Sequence, residues 1–300
     1  MTETVNASAS GTWTLGDLTV NRLGYGTMRL ALRADGGTGD RDTAIAVLRR
    51  AVELGVNHID TAAFYFNPRL SANELINTAL RPYPEDLVIV TKVGPGRDPS
   101  GGFLPQARPE QLRGQVEENL RQLGRDHLDV VNLRIGDGLE RGEGSLADRF
   151  GALAELREAG MIRHLGISNV GLAHLDEAQA IAPVVCVQNQ YGLAVRREDD
   201  ELVRICAERG IAFVPFFSVA SGADEEPVDV VARDHGVSPA QVRLAWTLHQ
   251  GPNVLAIPGT ANLAHLEANV AAGSLRLSEK DLARLAGISW LDGHNPAESA

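Results

Sequence analysis

LVIVTKV, residues 87–93, is an apolar, β-branched run interrupted only by Thr91 and Lys92. Its composition predicts a strand. A strand apolar at nearly every position is covered on both faces, as in a parallel sheet wrapped by helices. Seven more runs resemble it: NRLGYG (21–26), VNHID (56–60), LDVVNL (128–133), IRHLGIS (162–168), VVCVQ (184–188), IAFVPFF (211–217) and NVLAIP (253–258). Helical period fills the gaps. Residues 41–54 set Ile45, Leu48 and Val52 on one face. Residues 108–123 do so with Leu112, Val116, Leu120 and Leu123, behind the start signal Pro109-Glu110. Residues 146–159, 172–181 and 199–209 follow, then a helix from Pro239 through Trp246. A last helix spans 278–285, with Ser278 as cap and Asp281 at its third position. Gly55, Gly124, Gly160 and Gly210 stand just past helix ends, where left-handed backbone is favoured.

Eight strands alternating with helices predict an α/β fold of the closed (β/α)₈ TIM-barrel type. No Gly-x-Gly-x-x-Gly turn follows an early strand, which disfavours a doubly wound dinucleotide fold. TWTL (12–15) and LTV (18–20), joined by Gly16-Asp17, predict an N-terminal β-hairpin. No linker interrupts the pattern, so residues 1–300 read as one barrel domain, with residues 1–10 frayed. Loops at 29–40, 94–107, 136–145 and 219–227 follow strands, which assigns them to the catalytic mouth.

The formal charge of −11 argues against a nucleic-acid surface. It leaves room for an anionic cofactor in a locally basic pocket. Cys186 and Cys206 lie in apolar or helical runs and read as buried thiols; no ligand spacing points to a metal. Without a charged-then-apolar leader or a run of eighteen apolar residues, the expectation is a cytoplasmic protein with no membrane partner. It is expected to be a monomer or a weak homo-oligomer.

Chemistry sits at the strand ends. Asp60 ends the second strand, Tyr65 follows in its loop, and Lys92 nears the end of the third. A barrel brings all three to one mouth. A phenol ionises near pH 10 in water, and an ammonium beside it favours the phenolate. Asp60 would hold the Lys92 charge in place. Tyr65 could then protonate a carbonyl oxygen as hydride reaches the carbon. Singly, each has a structural reading: a cap for Asp60, a wall for Tyr65. An ammonium in an apolar strand is odder, since it needs a partner.

NHIDTAAFY (57–65), VTKVG (90–94), HLGISN (164–169), VQNQY (187–191) and IPGT (257–260) together resemble the aldo-keto reductase superfamily, in order and spacing, from Leu23 to Asn269. The resemblance implies a barrel that binds a nicotinamide dinucleotide across its mouth and reduces a small carbonyl substrate. It implies Asp60, Tyr65 and Lys92 as the catalytic set, with Tyr65 as general acid. It implies Thr27 near the nicotinamide, Ser168, Asn169 and Gln188 on its carboxamide, and Phe216 stacked on its ring.

Two motifs depart from that pattern. A strand-four histidine in the family is Arg134 here, which brings a fixed charge and several donors. Arg134 is expected to be catalytic or to face an anionic substrate oxygen; the structural alternative is an ion pair with Asp137. In strand eight, the Lys and Arg that grip the 2′-phosphate of NADPH are replaced by Gly259 and His265. Thr260, Asn262 and Asn269 complete the expected cofactor set, with the helix from Asn262 aimed at a phosphate. NADP(H) is expected, with NAD(H) as the alternative. The runs DVVNLR, VPFF and IPGT further resemble a bacterial subgroup that includes pyridoxal reductases, implying pyridoxal as a candidate substrate beside other aldehydes and ketones. A cofactor-binding regulatory subunit and a redox-neutral lyase or epimerase are the other function classes.

Overall fold

The computed structural model describes residues 5–32, 39–193, 199–219, 225–286 and 288. Strands β1 (Thr12–Leu15) and β2 (Leu18–Asn21) form the expected antiparallel hairpin, with Leu15 opposite Leu18 across the turn. Then β3 (Tyr25–Gly26), β4 (His58–Asp60) and β5 (Val88–Val93) enter a parallel sheet. A small antiparallel pair, β6 (Gly96–Arg97) and β7 (Phe103–Leu104), stands in the loop after β5. The sheet continues with β8 (Leu128–Arg134), β9 (Ile162–Ser168), β10 (Val184–Gln188) and β11 (Ala212–Phe213), in spatial order β11-β10-β9-β8-β5-β4-β3.

The eighth run closes the circle. Phe213 donates its N–H to Asn253 O at 2.9 Å, and Leu255 returns one to Phe213 O at 2.9 Å. On the other side Ala256 donates to Arg22 O at 2.9 Å, and Gly24 to Ala256 O at 2.8 Å. Residues 253–256 therefore join β11 to the start of β3, and the chain is a (β/α)₈ barrel.

Helices α1 (Met28–Ala31), α2 (Arg41–Glu53), α3 (Ala72–Leu80), α4 (Pro109–Leu123), α5 (Ala147–Glu158), α6 (Leu172–Ile181), α7 (Asp200–Glu208), α8 (Glu226–His235), α9 (Pro239–His249), α10 (Leu263–Ala271) and α11 (Glu279–Ala286) follow in chain order. Helices α4, α5, α6 and α7 set apolar faces against the outer side of the sheet, and with the other helices they build one large core. The four expected C-terminal glycines have φ of 80°, 62°, 79° and 69°. At α11, Ser278 Oγ accepts from Asp281 N and Ser278 N donates to Asp281 Oδ2, a reciprocal cap. Among the described residues no helix is long and apolar enough to cross a membrane.

The hairpin stoppers the end of the barrel opposite the mouth. Leu15 and Val20 pack with Val88, Val130, Val185, Ala212 and Leu255 in a second core inside the strands. Its turn is latched: Asp17 accepts from Arg163 and faces His164 Nε2 at 2.6 Å. Gly16, at φ 66°, lies against the His164 ring so closely that a Cβ would come within 2.2 Å.

Several expectations are corrected. Residues 5–10 are not frayed: Ala7–Ser10 forms a 3₁₀ turn capped by Asn6, and Ala7, fully buried, donates its N–H to Leu54 O. Residues 1–4 lie outside the described set. The loops at 29–40 and 219–227 give up their ends to α1 and α8, and the loop at 94–107 contains β6 and β7; residues 33–38 and 220–224 are outside the described set. Helices α3 and α8 were not singled out by periodicity. Cys186 and Cys206 are buried, and burial pushes both thiols up to about 12.

Candidate active site

In a strand, alternate side chains face opposite sides. Asp60, Lys92 and Gln188 take the inward positions near the mouth ends of β4, β5 and β10. Lys92 Nζ lies 2.6 Å from Asp60 Oδ1 and donates to Thr61 O at 3.0 Å. Across the barrel, Gln188 Nε2 donates to Asp60 Oδ2 at 2.8 Å. Both carboxylate oxygens are thus paired, which is what a buried charge requires. After β4 the chain turns tightly, Tyr65 donating its N–H to Ala62 O at 3.0 Å. That turn brings the centroid of the half-buried Tyr65 ring to 5.0 Å from Lys92 Nζ, with the ammonium facing the ring. Burial pushes the Lys92 pKa down, but Asp60 and Tyr65 outweigh it and hold the group above its ordinary value. The ammonium therefore persists at neutral pH. One layer deeper, His58 is buried, and burial pushes its pKa down to about 4, so its ring is neutral.

The rest of the mouth surrounds this cluster. Arg134, at the end of β8, donates to Gly138 O at 2.6 Å and approaches Ser168 Oγ at 3.4 Å. Its guanidinium lies 5.1 Å from the Phe216 ring centroid, so two residues with separate expected roles are in contact. Asn169 adopts φ 66°, left-handed backbone that asparagine tolerates. Its Nδ2 donates to Ile135 O and Glu140 O, tying the β8 loop to β9. Thr27 is fully buried, and its hydroxyl lies 3.1 Å from Asp60 O and 2.9 Å from Thr61 Oγ1. It meets the neighbouring strand end with its side chain.

The strand-eight segment explains one departure. A Cβ at Gly259 would come within 2.7 Å of Gly26 O, so this close approach of two strand ends excludes any larger residue without a shift. Thr260 Oγ1 accepts from Asn262 N at 3.1 Å. Asn262 Oδ1 caps α10, accepting from Ala264 N and His265 N. Its oxygen is therefore turned to its own helix, leaving Nδ2 for a ligand. His265 is exposed and Asn269 half-buried on that helix. Sequence reading missed Arg29, whose side chain runs beside Gly259 (3.7 Å from the position of its Cβ). Its Nη2 is buried with no hydrogen-bond partner, and burial alone pushes its pKa down. The signal available was a lone cation two residues past the GYGT strand end.

These leftover groups fit a nicotinamide dinucleotide. Gln188 Oε1 is buried without a partner, an acceptor suited to a carboxamide N–H. Arg29 Nη2 is a donor suited to a phosphate. A cavity of about 990 Å³ adjoins the site between the loops after β4 and β5; Phe64, Phe66, Lys92, Arg97, Leu104 and Gln115 are among its walls.

The Aldo/keto reductase family model matches residues 22–226 and 223–289. The pyridoxine 4-dehydrogenase of Escherichia coli is 48% identical over 286 residues, covering 94% of this chain and 99% of that protein. A thermostable aldo-keto reductase solved with the inhibitor epalrestat is 29% identical with a TM-score of 0.76, over 90% of this chain and 96% of that one. An aldo-keto reductase from Klebsiella pneumoniae, solved in complex with NADPH, is 26% identical with a TM-score of 0.71, over 89% of this chain and 90% of that one.

Proposed function

This chain belongs to the aldo/keto reductase family, and from that premise we propose that it reduces the aldehyde of a small aromatic substrate, pyridoxal to pyridoxine, with NADPH and with Tyr65 as general acid. The observation that carries the reading is the buried ammonium of Lys92, held by Asp60 and lying 5.0 Å from the centroid of the Tyr65 ring. NADPH, when bound, supplies the hydride. Gln188, Ser168 and Asn169 offer polar groups for the carboxamide, and Phe216 offers a ring face for the nicotinamide. Arg29, Thr260 and His265 face the phosphates in place of the family lysine that Gly259 excludes. Tyr65 gives its proton to the carbonyl oxygen, and Lys92 stabilises the phenolate that remains. Asp60 keeps that ammonium oriented. The likeness to a pyridoxine 4-dehydrogenase supports the choice of substrate, and so does Arg134, whose guanidinium suits the phenolate oxygen beside the pyridoxal aldehyde.

A panel of aldehydes and ketones, pyridoxal included, followed by loss of reduced-nicotinamide absorbance tests this. Pyridoxal is expected to be consumed fastest, and faster with NADPH than with NADH. Deuterated cofactor is expected to leave one deuterium in each product. Tight cofactor binding with no consumption of any substrate would favour a regulatory subunit or a redox-neutral enzyme and defeat the reading.

Arg134→Ala gives a more specific test. Loss of a charge-assisted hydrogen bond is expected to raise KM about tenfold or more for aldehydes that carry a phenolate. Neutral aldehydes are expected to change little. Equal effects on both classes mean that Arg134 serves only to hold Gly138 and Ser168.

A further inference from the structure

Behind the catalytic cluster, on the outer side of the same strands, five fully buried polar side chains join in one hydrogen-bonded chain. Thr27 Oγ1 donates to Thr61 Oγ1 at 2.9 Å, and Thr61 Oγ1 donates to Asn73 Oδ1 at 2.8 Å. Asn73 Nδ2 donates to Asn119 Oδ1 at 3.0 Å, and the same oxygen accepts from Thr91 Oγ1 at 2.6 Å. Asn119 Nδ2 donates to Gln115 O at 2.9 Å. The side chains come from the loops after β3 and β4, from β5, and from helices α3 and α4.

We propose that this hydroxyl–amide chain is a positioning device, with Asn119 as its joint, that aligns the ends of β4 and β5 so that the Thr61 carbonyl and the Asp60 carboxylate meet the Lys92 ammonium. Thr61 follows Asp60 and Thr91 precedes Lys92, so alternation turns the threonines outward where their neighbours face inward. Thr61 O is itself an acceptor of Lys92. One oxygen of Asn119 receives Thr91 directly and Thr61 through Asn73, so a single atom sets the spacing of both strand ends. Outward positions elsewhere on the barrel hold aliphatic residues such as Val131, Leu133, Leu165 and Ile167. Valine would fill the place of either threonine, so filling space does not explain the hydroxyls. Burying five polar groups is tolerable only when each is paired, which makes the chain a demanding and specific geometry.

The inference rests on the reading of Lys92 and Tyr65 as the proton-donating pair, and its test separates the two. The sequence holds two lysines, Lys92 and Lys280, so ¹³C-lysine labelling resolves the Lys92 side chain by NMR. In Thr61→Val and Asn119→Leu, kcat is expected to fall roughly tenfold to a hundredfold, the scale of a sub-ångström to ångström misplacement. The KM of NADPH is expected to hold, and the Lys92 signal to titrate about one pH unit lower, as an ammonium does when it loses an acceptor. Thr61→Ser, which keeps the hydroxyl, is expected to restore most of the rate and the wild-type titration. Thr91→Val provides a second, isosteric break should either variant fail to fold. Variants that melt earlier but keep the wild-type kcat, pH profile and Lys92 titration overturn the proposal. If the wild type reduces no carbonyl, the catalytic reading fails, and the Lys92 titration still decides whether the chain positions the ammonium.

Discussion

Tyr65→Phe binds NADPH as tightly as the wild type and reduces its aldehyde at least about a hundredfold more slowly, the usual scale for loss of a general acid. The change removes one oxygen and keeps the ring, so the edge contact with Phe64 at 5.1 Å between centroids survives. Hydride arriving at a carbonyl carbon leaves negative charge on the oxygen, and that charge must be met by a proton. In the variant the phenol proton is gone, and water can supply one only without orientation. Fluorescence titration of the cofactor and single-turnover rates separate the two effects. Near wild-type turnover would remove Tyr65 from the role and direct attention to Arg134, another donor at the mouth.

Lys92→Met has two expected consequences, both large. Activity falls below detection or nearly so, because the phenolate left by proton transfer loses its cation. Stability falls as well, by about 3–5 kcal/mol, because removing Lys92 leaves the Asp60 carboxylate buried without its counter-charge, with Gln188 its remaining side-chain donor. The double variant Asp60→Asn/Lys92→Met removes both charges, so denaturant unfolding is expected to show much of the stability restored while activity stays lost. A double variant that regained activity along with stability would mean that Lys92 acts on stability alone.

The two variants probe residues that were legible in the sequence for different reasons. Lys92 stood out because an ammonium in an apolar strand demands a partner. Tyr65 and Asp60 stood out through their order and spacing with it. Arg134 was visible as a departure, yet its contact with the Phe216 ring depends on β8 and the segment after β11 facing each other across the mouth. Arg29 carried a weak signal, because nothing local tells that its Nη2 is buried beside Gly259. Thr61, Thr91, Asn73 and Asn119 carried none, since a polar residue on a helix or strand is ordinarily read as facing water.

From sequence alone came the eight strands, most of the helices, the hairpin with its Gly16-Asp17 turn, and the three residues at the strand ends. These follow from local rules: side-chain alternation, helical period and the backbone freedom of glycine act between near neighbours. Tertiary structure alone decided the closure through residues 253–256, the order of residues 5–10 against Leu54, the steric need for glycine at 259, and the buried chain that meets at Asn119. Each of these joins atoms from segments far apart in the chain. Their meeting depends on strand register and barrel closure, which no short window of sequence contains.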